Sequence, residues 1–538
     1  MNETPPNDAK GRVGRRILFW LACVALLVVF VVLTLNWSGK SVWENYQRQW
    51  EARGERFDFA SFVPKPVPAG QNFALAPVVV SSYAFCLDTN GNKISPQNTN
   101  IVNRLKLEIY GDEALVEMPT NGLGSWTRGM TADLKVWQNY YRALAAKTNL
   151  FRVPPQPQSP AADVLLALGK YDSTIEELRL AGRRPESRFP LNYDTDRPFT
   201  ILLPHLTALK RCSLALQLRA IAELQTGQNA EAMDDVKLML RLADSIRTEP
   251  FLISHLVRIA MVQITLQPVW EGMAEHEWSD AQLAELNQEL AGLDFLADYE
   301  VSMRGERAAA IAAVEHLRRK RDFPEMIKNV DSDISGNDHE DPFRGVAQVA
   351  YHLIPGSVFY QNELAIARMH QQYFLPIVDA GRRIASPAAT RQAGSAVERL
   401  QTHWSPNNVL ACLLLPALEK AVTRYAYAQS SVDLARVAGA LERFRLAHGQ
   451  YPESLEALSP QFIEKIPHDI INGQPLHYRR TDDPPAQGSG ATSGKFLLYS
   501  VGWNETDDGG VVVLNKNGRT IDTAQGDWVW PGAISGSQ

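Results

Sequence analysis

ILFWLACVALLVVFVVLTLN, residues Ile17–Asn36, carries no charged side chain. A helix rises about 1.5 Å per residue, so roughly 20 apolar residues cross the hydrocarbon core of a bilayer. Ahead of the run, Lys10, Arg12, Arg15 and Arg16 face only Glu3 and Asp8, a local charge of +2. That bias holds the N-terminal side in the cytoplasm and sends the following chain across. A cleaved signal peptide would share the basic start, but its apolar region is about 7–15 residues long and ends at small residues. Leu35-Asn36-Trp37 is a poor cleavage site. Trp20-Leu21-Ala22 is a poor lipidation motif before Cys23, and the apolar run continues past it. The reading is an uncleaved anchor: residues 1–16 a cytoplasmic tail, residues 17–36 one pass of the cytoplasmic (inner) membrane, the bulk extracytoplasmic or periplasmic.

Outward from the anchor the chain divides by composition. Its 538 residues suffice for two to four domains, at about 100–200 residues each. The formal charge is −6, so the portion beyond the +2 tail carries −8, which argues against a nucleic-acid partner. Beyond Cys23 the cysteines are Cys86, Cys212 and Cys412, which form neither a disulfide framework nor a metal pattern. Residues 37–75 read as a stalk, with Trp43 to Phe57 of helical potential and Phe62 to Pro68 an extended proline spacer. Residues 76–129 read as a small mixed segment, strand-like or irregular, with a turn at Asp88 to Asn92. Residues 130–404 read as a helical body, an irregular bundle or an array of hairpins. Apolar residues recur at helical spacing in Leu214, Leu218, Ile221 and Leu224, and again in Met233, Val236, Leu240 and Ala243. Gln225-Thr226-Gly227-Gln228 separates the two sets, giving a hairpin of weakly tetratricopeptide kind, and a second hairpin begins near Leu165. Asp331 to Gly336 opens like a calcium loop, but its twelfth position is Pro342, which supplies no carboxylate.

Residues 405–538 carry the most informative pattern. A helical segment from Leu410 to Ala447 ends at Gly449, which tolerates left-handed φ. Tyr451-Pro452 opens a short helix over Glu453 to Leu458. Leu476 to Arg479 and Phe496 to Val501 alternate as strands, between turn signals at Asn472-Gly473 and Gln487 to Gly490. The expected fold class is therefore mainly α with a C-terminal α+β module, one long helix packed on a small antiparallel sheet, behind the transmembrane helix.

This module resembles the globular domain of the major pseudopilins of type II secretion. The resemblance rests on Leu441-Glu442-Arg443-Phe444, His448-Gly449-Gln450-Tyr451-Pro452, Ile466-Pro467-His468-Asp469 with Gly473 and Tyr478, Leu498 to Gly502, and Asp507-Asp508-Gly509-Gly510. It covers about a quarter of the chain. Pseudopilins run their membrane helix directly into the pilin helix and carry a glutamate near the start of the apolar run. Here that run has no glutamate, and roughly 370 residues intervene. The resemblance thus implies a pilin-like module on a chain that is not polymerised as a pilus subunit. It also implies calcium in the loop after the final strands, with Ser500, Asn504, Asp507, Asp508 and Asp527 as oxygen donors of the kind that ion takes. Trp528-Val529-Trp530 is expected to pack back on the sheet.

No metalloprotease, serine-hydrolase, phosphate-loop or dinucleotide motif is present. His205, His255 and His316 lie in apolar helical surroundings that suit structural histidines, so no catalytic residue is named. Two function classes follow. One is an extracytoplasmic scaffold or binding protein with a protein partner in the cell envelope, associated with secretion or pilus-type machinery. The other is an envelope hydrolase or small-ligand-binding protein with its site in a groove of the helical body.

Overall fold

The computed structural model describes residues 9–83, 86–87, 93–94, 104–119, 122–195, 197–320, 354–481, 496–518 and 520–532. The turn at Asp88 to Asn92, the calcium-like opening at Asp331 to Gly336 and the Gln487 to Gly490 loop lie outside the described residues, as does the side chain of Cys86. The chain is mainly helical, with small antiparallel sheets concentrated near the C-terminal end.

The apolar run Ile17–Asn36 is part of α1, Ala9–Glu51, a helix of 43 residues. Except for Cys23 and Val32, every residue from Arg15 to Leu35 is exposed. Such a surface is unfavourable in water and favourable in hydrocarbon. The segment read as a stalk then behaves differently along its length. Residues 37–51 prolong α1 and pack against α11, Gly356–Met369. Asn36 reaches over to accept the backbone N–H of Ser357 at 2.9 Å, near the start of that helix. At Gly39 a Cβ would stand 3.0 Å from the Ser357 backbone, so the absent side chain is what lets the two helices touch. Trp43, Tyr46 and Phe57 stack beside one another and join the main core. Glu55 accepts from Arg307 at 2.7 Å, and burial lowers the Arg307 pKa while that carboxylate offsets the loss.

After α2, Pro77–Val80, and the paired two-residue strands β1, Cys86–Leu87, and β2, Lys93–Ile94, the body is built from helices. The described part of the mixed segment thus holds a helical turn as well as strands. The body helices are α3 Leu134–Ala145, α4 Pro160–Leu168, α5 Asp172–Gly182, α6 Pro204–Gln225, α7 Asn229–Asp244, α8 Leu252–Ala274, α9 Asp280–Ala291 and α10 Phe295–Lys320. Their starts are written in the sequence. Asp133, Ser159 and Ser279 accept backbone N–H groups of the first turns of α3, α4 and α9, as N-caps do. The turn at Gly227, with φ +73°, lets α6 and α7 pack side by side as read from their spacing. After α11 come β3 Val378–Asp379, β4 Ile384–Ala385 and α12 Pro387–Thr402.

The long C-terminal helix is shorter than its sequence pattern suggests. Val409–Leu414 forms a separate helix, α13, and α14 spans Pro416–His448. Pro416 sits in the first turn of α14, where its missing N–H does no harm, but it cannot continue a preceding helix. The helix ends at Gly449 with φ +76°. Strands β5 His477–Arg480, β6 Phe496–Ser500 and β9 Trp528–Trp530 form one antiparallel sheet in the order β5-β6-β9. Strands β7 Val512–Leu514 and β8 Ile521–Gly526 pair as a hairpin. Trp528 to Trp530 is therefore itself an edge strand of the sheet, with Trp528 opposite Ser500.

Strands β6, β8 and β9 all pack against α14, whose other sides meet α8, α9 and α10. One apolar core runs from Trp43 through the body helices to Trp530. Polar contacts stitch the same seam. Arg443 reaches Asp280 at 2.7 Å, Arg436 reaches Asn287 at 3.1 Å, and the Trp270 indole donates to the Pro531 carbonyl at 2.7 Å.

Candidate functional site

The five residues expected to bind an ion lie around the connection between β6 and β7 and the corner between β8 and β9. The corner is tight: a Cβ on Gly502 would stand 2.2 Å from the Gly526 carbonyl oxygen, and both glycines have positive φ. Glycine is the residue that permits such an approach. Asp527 follows that corner and is 2% exposed. Its carboxylate accepts the backbone N–H of Gly510 at 2.7 Å and of Asp508 at 3.1 Å, so it fixes the course of the loop. Burial raises the Asp527 pKa, the two N–H groups lower it, and the Asp508 and Asp507 charges push it up further. Asp507 accepts from Gly509 N–H at 3.0 Å and from the Tyr499 hydroxyl at 2.9 Å, contacts that hold its pKa below the usual carboxylate value. Asp508 accepts from the Asn504 amide at 2.8 Å.

Four of the five expected donors thus gather around one loop, and the fifth does not point at them. Ser500 is buried and donates to Asp469 at 3.0 Å. Asp469 also accepts the N–H groups of Val501 and Ile471, each at 2.9 Å. Asp469 belongs to the Ile466-Pro467-His468-Asp469 motif, and its task is to tie that turn to the end of β6. The donor chemistry suits a hard cation in part. Asp507 and Asp508 are exposed carboxylates, whereas Asp527 already serves backbone N–H groups. Among the described residues, no group of three or more His, Cys, Asp or Glu side chains is arranged to hold a metal ion.

A cavity of about 440 Å³ lies in the same module, between the short helix after Pro452 and the 466–478 turn. Leu455, Ile466, Pro467 and Leu476 supply apolar walls, with Glu453 and Glu456 beside them. Tyr478 lines it while donating to the Pro452 carbonyl at 2.7 Å. Sequence reasoning placed Glu453 to Leu458 in a short helix, Leu476 in a strand and Ile466, Pro467 and Tyr478 in the motif, and missed that they line one cavity. The signal was available in the motif itself, whose prolines and glycine impose irregular backbone that a flat sheet edge does not need.

Within the body, His205, Glu249, Ser254 and His255 meet in a polar cluster. His205 Nε2 lies 2.8 Å from Glu249, and Ser254 donates to the same carboxylate. A hydroxyl is activated as a nucleophile when an imidazole stands between it and the acid. Here the acid stands in the middle, and Ser254, His205 and His255 are all 0% exposed. His255 is pushed down to about 3 by burial and by the Arg258 charge, so it stays neutral. The cluster pairs the Glu249 carboxylate with Ser254 and His205 but leaves Nδ1 of His205 and of His255 without a hydrogen bond, and it has the character of a structural clamp. His316 is likewise buried, as its apolar surroundings suggested.

Three residues other than glycine adopt positive φ among the described residues: His276, Arg383 and Glu505. Each lies on the seam between body and C-terminal module. His276 meets Glu442 at 3.0 Å, Arg383 holds Asp433 at 2.9 Å, and Glu505 pairs with Arg391 at 2.7 Å. Such backbone persists where its surroundings fix it. No family model, no curated protein and no solved structure matches this chain.

Proposed function

We propose that this chain is a membrane-anchored extracytoplasmic scaffold whose pseudopilin-like C-terminal module binds a protein partner of secretion or pilus-type envelope machinery. In this reading α1 crosses the cytoplasmic membrane with its N-terminal end in the cytoplasm. The observation that carries it is the placement of α14, the pilin-like helix, against body helices on several sides and the sheet on another. A helix buried in that way has no face left for the shaft of a pilus. Glu442 and Arg443 of the motif are engaged by His276 and Asp280 of the body, which supports a display role for the module rather than polymerisation. The 440 Å³ cavity is the surface we assign to the partner. Its apolar walls and Glu456, beside a Glu453 already paired with Arg480, suit a peptide segment with apolar and basic side chains.

A photoreactive amino acid at Glu456, in the full chain in its own cells, tests this. A covalent adduct with an envelope protein, lost in the Leu455→Arg background, is the expected result. Absence of any adduct contradicts the partner-binding role.

Calcium is proposed for the neighbouring loop, held by Asp507, Asp508 and Asn504 beside Asp527. The ion would neutralise the clustered carboxylates and fasten the loop to the β8–β9 corner. Calorimetry on the full chain in detergent should show binding, and the melting temperature should rise with calcium by mass action. Asp507→Ala with Asp508→Ala should abolish both. A wild-type chain that ignores calcium removes the ion from this reading and leaves the cavity as the binding surface.

A further inference from the structure

The apolar surface of the chain does not stop where the α1 span ends. Trp37 is 72% exposed one residue beyond that run, and α11 starts beside it, with Ser357 N–H on Asn36. Five residues further along α11, Asn362 donates to the Pro406 carbonyl and accepts from the N–H of Leu410, each at 2.8 Å. Five helical residues advance about 7.5 Å, so Asn362, whose side chain holds the turn before α13 and its first turn, lies about that far along α11 from the contact with Asn36. There the chain exposes three large apolar side chains: Trp404 at 68%, Leu413 at 67% and Leu414 at 43%. The same end of the molecule carries the last turn of α10, where Arg318 lies 4.8 Å over the ring of Tyr360 on α11. Arg319, paired with Glu315 one turn back on α10, and Lys320 follow it on the exposed side.

We infer that Trp404 and the α13 leucines form a second, interfacial contact with the membrane, seated among lipid headgroups and assisted by Arg319 and Lys320. The inference rests on reading α1 as a membrane span. Tryptophan at the headgroup level, apolar side chains just below it and arginine or lysine beside anionic lipid are what an interface selects. Continuity with the exit of α1 decides the occupant: a soluble partner would find this face already against the bilayer. The contact would set the tilt of the body and hold the C-terminal module at a fixed height above the membrane.

The test uses the full chain in vesicles of phosphatidylcholine and phosphatidylglycerol, with or without bromine on the acyl chains, and reads quenching of tryptophan fluorescence. Relative to wild type, Trp404→Phe should lose part of the quenchable fluorescence, and Trp20→Phe should lose a separate part that reports the span. Arg319→Gln with Lys320→Gln should lower the Trp404 share in the same vesicles. Loss in Trp20→Phe without any in Trp404→Phe overturns the interfacial contact and leaves the span standing. No loss in either variant overturns both. Shielding of Trp404 from acrylamide that grows with protein density, without bromine quenching, identifies a second copy as the occupant and likewise overturns the proposal.

Discussion

Among the described residues, two helices are long and apolar enough to cross a bilayer, and their surroundings are opposite. In α1 none of the apolar window is buried, whereas 61% of the corresponding window in α8 is enclosed by other helices. Their side chains differ in the same sense. The run from Ile17 to Asn36 has no ionisable carboxylate, amine, imidazole or guanidinium, while α8 carries His255, Arg258 and Glu271. Each of those three finds a partner inside the protein. Arg258 pairs with Asp298 and lies 5.0 Å over the Phe295 ring, and Glu271 accepts the Ala132 N–H at 3.0 Å. Apolar length alone therefore does not decide between lipid and core. What decides is whether the polar groups within the helix have been given partners.

The comparison breaks most visibly at Arg258. Asp298→Ala would leave a guanidinium that is 0% exposed with only the more distant Asp244, at 3.5 Å, as counter-ion, a change that costs up to about 3–5 kcal/mol. Chemical denaturation of the full chain in detergent measures it, and a cost below 1 kcal/mol would show that the pair is not what makes α8 a core helix. The converse change belongs in α1. Val28→Arg places a charge at the centre of the run, where it opposes insertion by about 2.5–3.5 kcal/mol. The share of chain resisting alkaline extraction from membranes should fall, and an unchanged share would argue against a spanning α1.

A smaller effect sharpens the contrast through pH. Burial pushes the Glu271 carboxyl up to about 7 from an unfolded value near 4.5. Between those values the folded chain keeps a proton that the unfolded chain has released. The stabilisation is complete below the unfolded pKa and is lost as pH rises through about 7. Asp298, pushed up to about 6 chiefly by burial, acts in the same direction. The melting temperature should therefore be lower at pH 8 than at pH 5. Glu271→Gln, which keeps the shape and the acceptor, should shrink that difference by on the order of 1–2 °C. An equal difference in the variant would mean that Glu271 does not titrate in this window.

Local features were legible in the sequence because they are governed by nearby residues. Gly227 and Gly449 mark the ends of helices, the strands near Tyr478 and Leu498 show alternation, and the apolar run of α1 is apparent by inspection. The break at Pro416 was written there too, but a proline in a first turn does not look different from one inside an apolar run. Contacts between distant positions left no such trace. Gly39 meets Ser357, Asp280 meets Arg443, and Trp270 meets Pro531, and nothing in either member of these pairs announces the other. The expected ion site was legible as an acidic loop. The pull of Asp469 on Ser500 was not, because it depends on a turn more than 30 residues earlier, with the hydrogen bond at 3.0 Å spanning 31 positions.

The most direct test of the central contrast is a carbene-generating lipid probe activated in membranes that contain the intact chain, followed by mapping of the labelled peptides. Label should fall within residues 15–37 and be missing from Leu252 to Ala274. Label in Leu252 to Ala274, or an intact chain with none between Ile17 and Asn36, would contradict the assignment of α1 to the bilayer and α8 to the core.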